Sequence, residues 1–355
     1  MPLFSIGVTT YNRVELLVET LHSITSQTFG DFEVIVANDN PRRTVTAESL
    51  GILDSRIRFV NNPENLGEFR NMNSLLELSR GRYFTWIADD DLYAPDFLQR
   101  AFEALQRFNY PLCVFTSFGL MHGDRIDDEQ RHSGEIRLYT GREFLRSYLE
   151  RRIRTMGVMG LYDKEYLVDQ GGLADVSGDG MGLYCEYLLL VNAGLLDRVA
   201  FVDAPLCFYR IHEMSWSCAL NLNTDQYRRA GVNLAHLSIE RFQRPELIVD
   251  FDADLTALLK WFLAESVISV RRSDSYTWRH SLSVLLKTNE HISPLKGKPV
   301  YWRARLCLLR AEIWLIWVLA KQKMLEIAPR PLIKAYYALR SLFHRRSLDT
   351  YLAKT

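Results

Sequence analysis

Arg82-Tyr-Phe-Thr-Trp-Ile-Ala-Asp89-Asp90-Asp91 is an apolar, strand-forming run that stops on three carboxylates. An unbroken apolar run of this length suits a strand buried on both faces of a parallel sheet. In such sheets ligands bind beyond the carboxyl ends of the strands, so the acids fall where a cleft is expected. Three adjacent carboxylates repel one another unless a cation or solvent screens them. One or two carboxylates plus substrate phosphates are the oxygen ligands that Mg²⁺ or Mn²⁺ takes. Without a ligand, the same triplet reads as an acidic turn ahead of a helix near Pro95.

The flanking sequence repeats the pattern. Phe4 to Thr10, Phe32 to Ala37, Ile57 to Val60 and Tyr110 to Phe118 are further short apolar runs. After the first, Val14, Leu17, Val18, Leu21 and Ile24 recur on one helical face, with Asn12 and Glu15 spaced as a capping box. Gly67 to Ser79 and Phe97 to Phe108 read as two more helices. This alternation predicts an α/β fold with a mostly parallel central sheet flanked by helices. Over 121–222 the pattern loosens, and Val199 to Asp203 and Leu206 to Ile211 read as strands around Pro205. Beyond 223 nearly everything reads helical: Gln226 to Phe242, Asp252 to Val270, Tyr301 to Lys323 and Pro331 to Phe343. The expected organisation is a domain over 1–222, with halves 1–120 and 121–222, and a helical region over 223–355.

Composition narrows the class. Among 355 residues, 48% are hydrophobic and 24% charged, the balance of a globular chain with a sizeable core. Five cysteines without C-x-x-C spacing argue against a disulfide scaffold and against a zinc site. Met1 leads straight into strand-like sequence, so no secretory signal is expected. No apolar run reaches the length of a membrane span. Lys and Arg balance Asp and Glu at 43 each, which disfavours a nucleic-acid partner. The balance is uneven along the chain: residues 295–355 hold thirteen Lys/Arg and three acids, leaving residues 1–294 at a net −10. Basic helices carrying Trp302, Trp314 and Trp317 fit an anionic membrane surface; internal packing or an oligomer interface reads equally well.

Several residues flank the acidic triplet in the expected topology. Asp39, in Asn38-Asp39-Asn40, also ends a strand, where a carboxylate accepts from a nucleobase N–H or ribose hydroxyl; locally it would form a turn before Pro41. Thr9-Thr10-Tyr11-Asn12-Arg13 ends the first strand and opens the first helix, a place for stacking on a base and cationic contact with phosphate. Arg70 lies in the first turns of a helix, where a cation opposes the macrodipole unless an anion is near. Gly178-Asp-Gly-Met-Gly182 lacks the lysine and spacing of a P-loop, and no G-x-G-x-x-G opens a helix after a strand.

Taken in order, Phe4-Ser-Ile-Gly-Val-Thr-Thr-Tyr-Asn-Arg13, Ser26-Gln27-Thr28-Phe29, Phe32-Glu-Val-Ile-Val-Ala-Asn-Asp39, Asn65-Leu-Gly67 and Ala88-Asp-Asp-Asp91 resemble glycosyltransferase family 2. The resemblance covers about residues 3 to 220. It implies a GT-A-type fold and an inverting transfer from a nucleotide sugar, with Mn²⁺ or Mg²⁺ as cofactor. It further implies that 1–120 is the nucleotide-sugar-binding half and 121–222 the acceptor-binding half. Thr9, Tyr11, Arg13, Asp39, Arg70 and Asp89 are then nucleotide-binding candidates, and Asp90 and Asp91 metal ligands, Asp90 foremost. Many members read Asp-x-Asp-Asp; here Ala88 takes the first of those positions.

An inverting transfer needs a base for the acceptor hydroxyl. The family supplies an acid at a helix start in the acceptor half, which Glu186 matches, with Asp179 in reserve. His212, in Arg210-Ile-His212, resembles a segment late in the family's domain and is a further candidate for metal or diphosphate contact; a lone loop histidine otherwise reads as structural. Trp86 reads as core and Trp216 as a wall against sugar C–H groups. The resemblance implies a uridine or thymidine diphosphate donor and a glycan or lipid-linked acceptor in bacterial cell-surface polysaccharide or glycolipid synthesis; the expected location is the cytoplasm, with peripheral attachment at the inner face of the cell membrane as the narrower expectation. A non-catalytic nucleotide-sugar or glycan-binding subunit is the rival from another class. A sugar-1-phosphate nucleotidylyltransferase would carry a glycine-rich basic loop where Thr9 to Arg13 stands.

Overall fold

The computed structural model describes residues 1–123, 125–127, 132–212, 224–242, 254–263, 288–298 and 301–327. The chain divides into two compact units, one of residues 1–145 and 153–220, the other of 146–152 and 221–355.

In the first unit the elements run β1 (Phe4–Thr10), α1 (Val14–Thr25), β2 (Phe32–Asn38), α2 (Ala47–Leu50), β3 (Ile57–Asn61), α3 (Glu68–Leu78), β4 (Tyr83–Ala88) and β5 (Leu92–Tyr93). They continue with α4 (Phe97–Arg107), β6 (Cys113–His122), β7 (Arg125–Asp127), β8 (Ile136–Tyr139), α5 (Gly141–Leu149, its residues from 146 on counted in the second unit), β9 (Leu161–Asp163), α6 (Lys164–Asp169), α7 (Cys185–Ala193) and β10 (Val199–Arg210). The sheet order is β3-β2-β1-β4-β9-β6-β10-β5. Its first four strands are parallel, and β6 and β10 are parallel to each other. The short β9 pairs antiparallel with both β4 and β6 and joins the two parallel groups. Helices flank the sheet, as the alternating pattern predicts.

Every residue of β1 is buried, which accounts for its continuous apolar and β-branched sequence. At its centre Gly7 lets α3 lie close: a Cβ there would meet Phe84 at 2.8 Å and Leu75 at 3.0 Å. Trp86 is core, as read from the sequence, and its indole N–H donates to the Met72 carbonyl of α3 at 2.8 Å. The expected capping box at Asn12 and Glu15 does not form. Asn12 adopts φ 62°, Arg13 occupies the cap position, and Asn12 Oδ1 accepts instead from the Asn40 side chain. The two strands expected around Pro205 are one, β10, whose register shifts on either side of that proline. A residue without an N–H interrupts the ladder but is absorbed as a bulge.

The second unit contains α8 (Thr224–Phe242), a helix over 254–263 called α9, a 3₁₀ segment Thr288–Leu295 and α10 (Tyr301–Ile327). The expected helix from Pro331 to Phe343, Trp216 and residues 328–355 of the basic segment lie outside the described residues. Among the described residues, no helix is long and apolar enough to cross a membrane.

Candidate active site

The acidic triplet occupies the tight turn between β4 and β5, and its three carboxylates have three different surroundings. Asp89 is fully buried. Its Oδ2 accepts from Thr10 Oγ1 at 2.6 Å and from the Tyr11 amide at 3.3 Å, and Oδ1 pairs with the Arg13 guanidinium. Burial pushes its pKa up to about 6, while Arg13 and the Thr10 hydroxyl pull it down. Asp90 Oδ2 accepts from Arg13 Nη1 at 2.6 Å and lies 2.9 Å from His212 Nε2. A carboxylate only accepts, so in this hydrogen bond that imidazole nitrogen carries the proton, and a cation shared with Asp90 would have to displace it.

Asp91, expected beside Asp90 as a metal ligand, is turned into the fold. Its Oδ1 accepts from the Arg210 amide at 2.9 Å, and its carbonyl accepts from Thr20 Oγ1 at 2.8 Å. Burial, with Asp90 adding repulsion, holds its carboxyl well above the usual range. Asp91 thus anchors the turn. Arg210 completes the anchor, donating through Nε to the Asp90 carbonyl at 2.8 Å and through Nη2 to Glu19 at 2.5 Å. Two residues further along the chain, His212 reaches Asp90.

Arg13 bridges Asp89 and Asp90. Burial works against its charge, but the two carboxylates outweigh it and raise its pKa. Tyr11 beside it is 46% exposed, whereas Thr9 is buried with its hydroxyl donating to Glu68 Oε1 at 2.9 Å. Glu68 is the residue that sequence reading missed. An acid in the first turn of a helix is already explained by the macrodipole. Here its carboxyl is enclosed: burial lifts its pKa to about 7, Thr9 and Arg13 oppose the rise, and Asp89 and Asp90 add to it.

The start of α3 is the hub of the site. Gly67 caps it at φ 79°, ψ 156°, a backbone region that demands glycine. Asp39 holds that cap. Its Oδ1 accepts from the Leu66 amide at 2.9 Å and from Asn62 Nδ2 at 2.9 Å, and its Oδ2 from the Gly67 amide at 2.8 Å. The local turn at 38–42 is made by its neighbours: the Asn38 side chain accepts from the Asn40 amide, and the Asn40 side chain from that of Arg42. Further along α3, Phe69 packs against Gly182, and Asn73 exchanges two hydrogen bonds of 3.0 Å with the backbone of Leu173. Arg70 lies exposed on the same turn.

Those contacts carry the 171–186 segment and Glu186 into the same neighbourhood. Cys185 shows the proximity: burial, then Glu186, then Glu68 raise its thiol pKa. Glu186 sits in the first turn of α7, as expected. Gly157 packs under it so closely that a Cβ would stand 2.0 Å from the Glu186 carbonyl oxygen. Gly157 is in turn held by Tyr162, whose hydroxyl donates to its carbonyl at 2.6 Å. Asp179 is exposed and accepts from the Met181 amide at 3.1 Å in a loop that Asp175 braces through the amides of Gly178 and Gly180. A separate surface groove lined by Arg100, Glu103, Arg107 and residues 134–137 contains none of these residues.

Among the described residues, no group of three or more His, Cys, Asp and Glu is arranged to hold a metal ion by itself. The fit is partial. Asp90 and His212 offer one oxygen and one nitrogen at a shared point, so the remaining ligands would be substrate phosphate and water oxygens.

The sequence description of Glycosyl transferase family 2 matches residues 5–169. An uncharacterized glycosyltransferase of Methanocaldococcus jannaschii is 34% identical over 109 residues, 30% of this chain and 38% of that protein. The GalNAc(5)-diNAcBac-PP-undecaprenol beta-1,3-glucosyltransferase of Campylobacter jejuni is 36% identical over 94 residues, 26% of this chain and 30% of that protein. The matched stretches therefore span well under half the length of either relative. The crystal structure of S. aureus TarS 1-349 in complex with UDP-GlcNAc has a TM-score of 0.62, covering 90% of this chain and 92% of that one, at 14% identity. At that identity the likeness shows the fold, GT-A.

Proposed function

We propose that this chain, whose residues 5–169 match the description of Glycosyl transferase family 2, is an inverting, metal-dependent glycosyltransferase. It moves a hexose or related sugar from a uridine or thymidine diphosphate donor to a hydroxyl of a glycan or lipid-linked acceptor, in cell-surface polysaccharide or glycolipid synthesis. The observation that supports this reading most is the meeting of Arg13 and His212 on one oxygen of Asp90, at the ends of β1, β4 and β10. A cation, a hydrogen-bonded imidazole and a carboxylate at a strand-end cleft form a diphosphate site.

In this reading the exposed ring of Tyr11 stacks on the base. Asp39 keeps an acceptor position on Oδ2 for a base N–H while its other positions hold the start of α3. Arg13 turns from the carboxylates to the diphosphate, and Asp89, locked by Thr10, keeps the turn in place. Asp90 and His212 would hold the Mn²⁺ or Mg²⁺ ion, which supplies charge neutralisation for the leaving diphosphate. Glu186 accepts the proton of the acceptor hydroxyl. The test is nucleoside-diphosphate release from UDP- and dTDP-sugars with Mn²⁺ or Mg²⁺. Asp90→Ala and Glu186→Gln should each abolish release with an unchanged circular dichroism spectrum. Near-wild-type turnover in either variant removes that residue's role. Metal-dependent donor binding without release or transfer would instead support a nucleotide-sugar-binding subunit.

A further inference from the structure

The α10 helix has two apolar faces, and only one is covered. Ala304, Cys307, Leu308, Ala311 and Leu315 are buried. On the other side Trp302, Leu306, Leu309, Ile313 and Ile316 follow at spacings of four and three, joined by Trp317. These six are 43–76% exposed, Trp302 most of all. From Trp302 to Trp317 the stripe runs about 22 Å along the helix. Single exposed apolar residues need no explanation, but a continuous row of six large ones marks a contact surface.

The charges beside the stripe discriminate between occupants. Arg303 and Arg310 are exposed along its border, and Lys321 Nζ lies 4.7 Å from the Trp317 ring centre. Glu312 pairs with Arg305 of the same helix at 3.3 Å. Lys296 and Lys298 precede the helix, and residues 328–355 add six Lys/Arg against one acid.

A second copy meeting this stripe as a coiled coil would place Arg303 and Arg310 at seam-flanking positions. Antiparallel pairing then sets these arginines against their own copies, and parallel pairing sets Arg305 against Arg310. Either way, cations meet cations. An anionic phospholipid surface supplies phosphates to the same arginines and an acyl boundary to the stripe. The helix does not qualify as a span, so it would lie in the interface rather than cross it.

We propose that the 302–317 face of α10 binds anionic phospholipid bilayers, with its tryptophans at headgroup depth and Arg303 and Arg310 on lipid phosphates. This inference is independent of the glycosyl-transfer reading, because its residues belong to the second unit and the site's to the first.

The test is co-flotation of the full chain with vesicles of phosphatidylcholine alone or with phosphatidylglycerol added, and tryptophan quenching by brominated lipid. The expected result is binding that requires phosphatidylglycerol and weakens with salt. Arg303→Glu and Arg310→Glu should each weaken it roughly fivefold or more. Leu309→Glu with Ile313→Glu should abolish both binding and quenching. Nucleoside-diphosphate release by these variants in lipid-free solution should be unchanged. The exposed arginine substitutions keep the test open should the double apolar variant misfold. Absence of binding to phosphatidylglycerol vesicles overturns the proposal. So does self-association by analytical ultracentrifugation that the apolar substitutions dissolve, which would assign the face to a second copy. Protection of Trp302 from a soluble quencher in the lipid-free monomer would assign it to residues 328–355 and also overturn the proposal.

Discussion

Replacing Glu68 by glutamine tests the electrostatics of the site without any substrate. In the folded chain the Glu68 carboxyl is enclosed, accepts from Thr9 at 2.9 Å, and its pKa is pushed up to about 7 from the ordinary 4.5. A group whose folded pKa exceeds its unfolded value contributes stability that is full below the unfolded pKa. That contribution is lost as pH rises through the folded pKa. For Glu68 the window therefore runs from 4.5 to about 7, and above it the buried charge costs up to about 3 kcal/mol. Glutamine has nearly the same shape, still accepts from the Thr9 hydroxyl and carries no charge. Glu68→Gln should leave stability within about 0.5 kcal/mol at pH 4. At pH 8 it should raise stability by as much as about 3 kcal/mol. The assay is urea unfolding followed by near-ultraviolet circular dichroism at pH 4, 6 and 8, with chelator present and no nucleotide. An equal effect at pH 4 and pH 8, or a loss of stability at pH 8, would refute the electrostatic account.

Two further perturbations act on the same network. Gly157→Ala forces a methyl group into the Glu186 carbonyl, at 2.0 Å before relaxation; displacement of the start of α7 should lower kcat for transfer while the donor KM stays near wild type. A change confined to donor KM would place Gly157 in donor binding instead. Arg13→Ala removes the cation that bridges two carboxylates, and at pH 8 should cost about 3 kcal/mol of stability. The loss should shrink toward pH 5: the Asp89 pKa, already about 6, rises further without Arg13, so Asp89 takes up a proton and sheds its charge. A loss independent of pH would show that Arg13 acts through packing alone.

The α/β character of the first unit was legible because β1, β2 and β4 are buried throughout most of their length, and burial on both faces writes itself as an unbroken apolar run. The strand-end acids were legible for the same reason, since they stand where that run stops. The boundary cues were less dependable. Asn12 and Glu15 have the spacing of a capping box, yet Asn12 takes a positive φ and bonds Asn40 across the site. Pro205 looks like a break but sits in a bulge of one long strand. In both places a tertiary contact overrode a local preference.

The sequence by itself determined the parallel framework, the acids at its edge and the uneven charge of the chain, since each is a property of contiguous residues. Only the tertiary structure decided how three neighbouring aspartates divide: Asp91 turns inward to Arg210, Asp89 is sealed by Thr10 and Arg13, and Asp90 is left to Arg13 and His212. It also decided that Glu68 belongs with them and that Gly157 sets the position of Glu186. These partners stand tens to more than a hundred residues apart in the chain. No local preference encodes their meeting; they are brought together by the close packing of α3 on β1 and by the return of β10 alongside β5.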